Sequence, residues 1–367
     1  MTCLEHDIGA GDATIAIGNT AERMASDVPR FHTSRSSLSL TVHANRPLID
    51  GHGRTIDHLR LSVTSACNLR CLYCRPTIRT SACRADLSDA QRVELVKHLY
   101  DHRGLRQLRL TGGEPLMHPA IIPLIESLRH AAPLLPLAMT TNALFLASMA
   151  VRLREAGIDR LNISLDAIDP SRYRALTGGR VEDAIRGIDA ALAAGFPSPK
   201  LNTVVLDGIN DDQIIELARW AMERALEIRF LEAMPIGPAA EFNRKHFVPA
   251  RRMKAILASH FRLAPLEHCD GETAMRYVVN DGSVRGTIGI IAPISESFCG
   301  QCRRMRLTAD GKLFPCLLDS RHIDLKDCWQ EGIFDSDAVD RLIEQAIFGK
   351  NAHGSLHQQT GMITLGG

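Results

Sequence analysis

LRLSVTSACNLRCLYC, residues 59–74, is a β-like run that leads into three cysteines, and the rest of the chain repeats its first half. LRLSV (59–63) has strand composition, and Cys67, Cys71 and Cys74 follow it in a C-x3-C-x2-C spacing. Similar runs recur downstream as QLRLT (107–111), LPLAMTT (135–141), RLNISLD (160–166), KLNTVVL (200–206) and EIRFLEAM (227–234). Helix-like segments separate them. Their apolar residues are spaced for one helical face at Val93, Val96 and Leu99, at Ile121, Leu124, Ile125 and Leu128, and at Ile214, Leu217, Ala218 and Ala221. Ser88 and Asp211 read as caps. Six strand–helix alternations predict a parallel sheet, because parallel neighbours need a crossover and a helix is the usual one. Six units make an α/β fold of the partial, TIM-like (β/α)6 barrel type rather than a complete eight-unit barrel.

Ligands of parallel α/β sheets gather at the C-terminal ends of strands. The unusual residues of this chain fall there. The cysteine triplet follows the first strand, GGEP (112–115) the second, and Thr141 and Asn142 the third. Ser164 and Asp166 close the fourth strand, and Glu232 and Met234 the sixth. After about 265 the rhythm changes. MRYVV (275–279) and RGTIGII (285–291) predict a hairpin about Asp281-Gly282, and RMRLTADGKLFPC (304–316) a second about Asp310-Gly311. Two helices and a glycine-ended tail, MITLGG, complete the chain. This gives a flexible extension over 1–45, a barrel over 46–265, and a C-terminal iron–sulfur-binding domain over 266–367.

With 43 basic and 42 acidic side chains the formal net charge is +1, which leaves no global field for a nucleic acid or an anionic membrane. Any anionic ligand must be held by a local cluster of cations. No apolar run approaches the roughly 20 residues of a membrane span, and the acidic N-terminal residues Glu5, Asp7 and Asp12 do not read as a secretory signal. Ten cysteines in such a chain point to metal or catalytic use rather than disulfides, and the expected location is the cytoplasm.

Cys299, Cys302 and Cys316 form a second triplet, C-x2-C-x13-C. Each triplet is one ligand short of the four that a [4Fe–4S] cluster usually takes from protein. An iron without a protein ligand is free to bind a small molecule. Zinc is the rival for soft thiolate ligands, although closed zinc sites want four ligands in paired sets. Cys3, Cys83, Cys269 and Cys328 read as bystanders. Beside the second triplet, Arg304 and Arg306 alternate along a strand and so share a face. Arginine forks match phosphate oxygens. Arg60, Arg109 and Arg229 lie inside β-like runs, where a charge is costly unless it faces a ligand.

The C-x3-C-x2-C triplet, with Tyr73 before its last cysteine, resembles that of radical S-adenosylmethionine (SAM) enzymes. GGEP resembles that family's methionine-amino-group site. FCGQCRRMRLTADGKLFPCL (298–317) is similar to the C-terminal signature of the GTP 3′,8-cyclase family, which begins molybdenum cofactor synthesis. GHGRTIDHLRLSVT, IRFLEAMPIG, IGIIAPISESFC and Gly366-Gly367 extend the likeness from about 47 to the end. The resemblance implies two [4Fe–4S] clusters, on Cys67, Cys71 and Cys74 and on Cys299, Cys302 and Cys316. It implies a SAM site at Tyr73, Gly112, Gly113, Glu114, Ser164 and Met234, with Thr140 near the SAM–GTP boundary. It implies GTP contacts at Arg60, Arg109, Lys200, Arg229, Arg304 and Arg306.

The reaction so implied starts with a 5′-deoxyadenosyl radical that takes the ribose 3′ hydrogen of GTP. The ribose radical then attacks C8 to give (8S)-3′,8-cyclo-7,8-dihydroguanosine 5′-triphosphate. The partners implied are cyclic pyranopterin monophosphate synthase, which takes the product, and a low-potential donor such as flavodoxin or ferredoxin. A homodimer is compatible with this reading. Departures from the family pattern are Gln107 for a usual lysine, Ala143 after Thr141-Asn142, and Arg75 after the triplet. Two alternatives stand beside it: a radical SAM peptide- or protein-modifying enzyme with an auxiliary cluster, and a non-catalytic iron–sulfur or zinc module. The latter leaves GGEP without a purpose.

Overall fold

The computed structural model describes residues 46–74, 86–267, 271–280, 282, 285–354, 356 and 358–366. The extension 1–45, and with it Cys3, lies outside them, as do Arg75, Cys83, Cys269, Asp281 and Gly367. The six β-like runs form β1 (His58–Ser62), β2 (Gln107–Thr111), β3 (Leu137–Thr141), β4 (Arg160–Ser164), β5 (Lys200–Val205) and β6 (Glu227–Glu232). Helices α1 (Asp89–His102), α2 (Ile121–Ala131) and α3 (Leu146–Ala156) make the first three crossovers. Both α4 (Pro170–Thr177) and α5 (Val181–Ala193) lie between β4 and β5, and α6 (Ile214–Glu223) precedes β6.

Ser88 caps α1 as its type predicts. Its hydroxyl accepts the Gln91 N–H at 3.2 Å and the Gln91 side chain accepts the Ser88 N–H at 2.9 Å, a reciprocal capping box. Asp211 does not cap α6. It opens a 3-10 turn, Asp211–Gln213, and its carboxylate accepts the Gly208 N–H at 2.9 Å and binds Arg252 at 2.7 Å.

Beyond β6 come α7 (Ala240–Lys245), α8 (Ala250–Ala258), β7 (Arg262–Pro265), β8 (Met275–Asn280) and β9 (Arg285–Ile291). Next are β10 (Arg304–Leu307), β11 (Lys312–Phe314), β12 (Ile323–Asp324) and the small pair β13 (Trp329–Gln330) and β14 (Ile333–Phe334). Helices α9 (Ser336–Phe348) and α10 (Met362–Leu365) end the described chain. Both expected hairpins exist, as antiparallel β8–β9 and β10–β11. Their placement was not foreseen. β9 pairs parallel with β6 and β10 parallel with β1, so the sheet runs β12-β11-β10-β1-β2-β3-β4-β5-β6-β9-β8-β7.

Alternation along the strands separates core from cavity. Leu59, Leu61, Leu108, Leu110, Ile228 and Phe230 are buried beneath the helices. The residues between them are half-buried on the opposite face: His58 and Arg60, Gln107 and Arg109, Lys200 and Asn202, Arg229 and Leu231. Parallel strands covered on both sides read as continuous apolar runs. Here the polar half of the pattern shows that the second face lines a cavity.

Candidate active site

That face encloses a cavity of about 590 Å3. It gathers every cation that the sequence assigned to an anion site: Arg60, Arg109, Lys200, Arg229, Arg304 and Arg306. Thr140, Met234 and all three cysteines of the second triplet share the wall. Register explains the clustering. Arg306 lies beside Arg60, and Arg60 beside Arg109, on neighbouring strands about 4.8 Å apart. One strand further, Ala138 gives the row room, and Arg160 follows on β4.

Arg60 and Arg109 make no side-chain hydrogen bond or ion pair among the described residues. Burial, then repulsion from Arg304, lowers the pKa of Arg60 to about 10. Burial and repulsion from Arg60, Arg229, Arg304 and Arg160 hold Arg109 well below its usual value. The nearby carboxylates offset only part of this field, at Lys200 and Arg229, and leave Arg60, Arg109 and Arg306 without an acidic partner among the described residues. Glu227 binds Arg229 at 2.5 Å and lies 3.6 Å from Lys200. Glu232 accepts the N–H groups of Ala250, Ile294 and Ser295 at 2.8–3.0 Å, which anchors a loop instead. A cavity with this surplus is built for a polyanion.

The second triplet is edged by cations. Burial alone would raise the Cys302 thiol, but Lys350 and Arg304 outweigh it and hold the pKa at about 7. Arg54 donates to the Cys299 carbonyl at 2.6 Å and to those of Asn351 and Ala352 at 2.7 and 3.0 Å, while pairing with Asp50.

Cys67, Cys71, Cys74, Tyr73, Gly112, Gly113, Glu114 and Ser164 do not line this cavity; the first seven form a neighbouring assembly. Gly113 N–H donates to the Thr64 carbonyl and Glu114 N–H to that of Ala66, each at 2.8 Å, so GGE lies edge to edge with the segment entering Cys67. A Cβ on Gly112 would sit 2.3 Å from the Thr64 carbonyl oxygen, and one on Gly113 2.2 Å from that of Ala66. Both positions must therefore be glycine. Glu114 is buried, and its carboxylate accepts from the Thr141 hydroxyl and Asn142 N–H, each at 2.7 Å, and from Leu116 N–H at 3.1 Å. Burial still raises its pKa to about 7. Tyr73 donates to Asp166 at 2.7 Å, pinning the cysteine loop to the end of β4. Ser164 ends β4 beside Asn202 of β5.

The cysteines of the first triplet feel one another. Burial, Asp166 and the two sister thiols push Cys71 up, and burial with Cys67 pushes Cys74 to about 11. Among the described residues no three His, Cys, Asp or Glu side chains close into a cage for a single metal ion. A cubane cluster asks for a wider set, one thiolate on each of three irons. Two groups of three unbridged, half-buried thiols, one mutually repelling and one flanked by cations, fit that demand.

The tail touches both groups. The Ile363 amide faces the Cys74 thiol and lowers its pKa against burial, and Arg306 donates to the carbonyls of Leu365 and Gly366. A Cβ on Gly366 would stand 2.5 Å from the Thr111 hydroxyl. Sequence reasoning missed Lys350, Arg54 and Arg160 as site residues. The first two reach the cysteines across 48 and 245 positions, with no spacing signal, while Arg160 carries the same alternation that marked Arg60 and Arg109.

Residues 61–221 match the model of the radical SAM superfamily, and residues 226–356 that of Molybdenum Cofactor Synthesis C. GTP 3′,8-cyclase of Heliobacterium modesticaldum is 40% identical over 308 residues, covering 83% of this chain and 93% of that protein. The enzymes of the same name from Paenarthrobacter nicotinovorans and Pseudomonas entomophila are 37% and 39% identical, over 84% and 82% of this chain and 91% and 90% of theirs. Among solved structures, Streptococcus suis SuiB bound to precursor peptide SuiA superposes with a TM-score of 0.58 at 15% identity, covering 83% of this chain and 68% of that one, a likeness of fold. A radical SAM domain implies a [4Fe–4S] cluster and SAM, and the thiols of the first group suit them. The chain belongs to the GTP 3′,8-cyclase family of radical SAM proteins.

Proposed function

We infer that this chain converts GTP and SAM to (8S)-3′,8-cyclo-7,8-dihydroguanosine 5′-triphosphate, the first step of molybdenum cofactor synthesis. The observation that carries the reading is the mutually repelling arginine row Arg306–Arg60–Arg109, none of it paired with a carboxylate among the described residues, beside Cys299, Cys302 and Cys316 in one cavity. Cys67, Cys71 and Cys74 would hold one [4Fe–4S] cluster and Cys299, Cys302 and Cys316 a second, each leaving one iron open. Bound at the first, cluster and SAM supply the one-electron chemistry that removes a hydrogen atom.

The protein's own residues do the positioning. Tyr73, Gly112, Gly113, Glu114, Ser164 and Met234 would form the SAM side, with Thr140 between the two ligands. Arg60, Arg109, Lys200, Arg229, Arg304 and Arg306 would fix the triphosphate and neutralise one another's charge through it. Fixing the ribose against its reaction partner converts much of the barrier into prepaid entropy. The enclosed walls keep water from a radical. The tail, with Gly366 close against Thr111 and Arg306 bound to its last carbonyls, would help to hold the triphosphate side in place. Residues 46–265 would thus supply the SAM side and four of the six GTP cations, and 266–367 the second cluster with Arg304 and Arg306.

A cytoplasmic location, a flavodoxin- or ferredoxin-like donor, hand-over to cyclic pyranopterin monophosphate synthase and a homodimer complete the reading; no described helix is long and apolar enough to cross a membrane. A peptide-modifying role has only the fold likeness behind it. Incubating the anaerobically reconstituted protein with SAM, GTP and dithionite should yield 5′-deoxyadenosine and cyclised GTP together. Formation of 5′-deoxyadenosine with no cyclised nucleotide would overturn the GTP assignment and leave the radical SAM assignment standing.

A further inference from the structure

Lys350 follows α9 and is 3% exposed. Its ammonium nitrogen donates to the Arg304 carbonyl at 2.5 Å and to the Cys302 sulfur at 3.4 Å. No carboxylate pairs with it among the described residues. A buried ammonium left without an anion is costly, and among the described residues the sulfur that it hydrogen-bonds is that of Cys302. That sulfur is flanked by Arg304 on the cavity side as well. The segment carrying Lys350 is itself fastened, because Arg54 binds the carbonyls of Asn351, Ala352 and Cys299 together.

We propose that Lys350 is a positioning residue that holds a charge-assisted N–H···S bond to the Cys302 ligand and thereby raises the reduction potential of the second cluster above that of an otherwise identical site. Reduction adds one negative charge to the cluster, and a fixed cation at a ligand sulfur favours the reduced form. Hydrogen bonds to the sulfurs and net local charge are among the main determinants of cluster potential. The asymmetry lies in the donor: an ammonium donates to Cys302, whereas among the described residues Cys316 accepts the backbone N–H of Leu318 at 3.4 Å and no side-chain donor. Because the same ammonium fixes the Arg304 carbonyl, it also ties the electronic state of the cluster to the position of a cavity arginine.

The inference rests on the two-cluster reading above. It is tested in full-length protein carrying Cys67→Ala, Cys71→Ala and Cys74→Ala, so that only the second cluster is seen, by redox titration followed by electron paramagnetic resonance. Lys350→Met should lower the reduced-to-oxidised ratio at a given potential at least tenfold, a shift of 59 mV for one electron, and Lys350→Arg should restore most of it. The first cluster, titrated in protein with Cys299→Ala, Cys302→Ala and Cys316→Ala, should not respond to Lys350→Met. An unmoved potential at full iron occupancy overturns the inference. If Lys350→Met assembles no second cluster, 15N-lysine labelling of the unmutated Lys350 decides. A weak 15N coupling to the reduced cluster, lost in Lys350→Arg, supports the bond, and its absence overturns it. Protein lacking the first triplet that binds no cluster with Lys350 intact overturns the two-cluster reading, and the inference falls with it.

Discussion

Gly113→Ala tests whether GGE is a backbone junction with the cysteine loop. The added methyl carbon would stand 2.2 Å from the Ala66 carbonyl oxygen, 2.6 Å from its carbon and 3.0 Å from the Ser65 carbonyl oxygen. All three are main-chain atoms, so no side chain can turn aside. Comfortable contact needs about 3.5 Å, so the two segments must part by about 1 Å. That opening takes both 2.8 Å bonds, Gly113 N–H to Thr64 and Glu114 N–H to Ala66, with it. Each lost bond costs about 1 kcal/mol and the overpacking about 1–3 kcal/mol, about 3–5 kcal/mol in all.

The control is Gly300→Ala, next to Cys299, where an added Cβ meets nothing within 4 Å; it should change stability by less than about 0.5 kcal/mol. In anaerobic melts Gly113→Ala should lower Tm by on the order of 4–7 °C. After reconstitution it should also lose the iron and sulfide of the first triplet while keeping those of the second. A Gly113→Ala protein that melts with the Gly300→Ala control and keeps both clusters would refute the argument.

Arg109→Met should stabilise the nucleotide-free protein, because it removes a cation repelled by four neighbours. Calorimetric titration should find GTP binding weakened about 10- to 100-fold, as expected for a charge-assisted bond of about 1.5–3 kcal/mol; affinity within twofold of the parent would count against the triphosphate assignment. Asp166 is raised from 3.8 to about 6 by burial, against the hydrogen bonds from Tyr73 and Val204. A folded-state pKa above the unfolded one favours the fold fully below the unfolded value, and that contribution fades as pH rises through about 6. At 1.36 kcal/mol per unit, the cluster-free protein should lose about 3 kcal/mol from this source across that range. Asp166→Asn should flatten the profile in urea unfolding between pH 4 and 8; parallel profiles would contradict it.

The barrel strands were legible because their alternation carries two messages at once. In QLRLT and EIRFLE Leu108, Leu110, Ile228 and Phe230 face the helices, and Arg109 and Arg229 stand out on the other face. The cysteine triplets and GGE are short-range patterns, and spacing alone places them on single loops. What was not legible depends on long-range pairing. RMRL reads as half of a hairpin, and nothing local says that its free edge joins β1 across some 240 positions to complete the row Arg306–Arg60–Arg109. Lys350 and Arg54 were hidden for the same reason. Glu114 was read as a ligand residue, and its type could not reveal that three donors from its own and the next strand end already surround the carboxylate.

The same long-range pairing explains how the two cysteine groups, one lining the cavity and one beside it, come to be neighbours. β10 lies between Cys302 and Cys316 and pairs with β1, while β1 leads into the first group. One strand-to-strand register therefore fixes both groups relative to each other, and a slip by one residue would turn Arg304 and Arg306 away from the cavity. The tail locks that register from the far side. Leu365 packs with Phe314 and Leu318 near Cys316, Ile363 reaches Cys74, and the last carbonyls hold Arg306. The arginines of the row repel one another, and the bonds of Arg306 to the last carbonyls offset part of that repulsion.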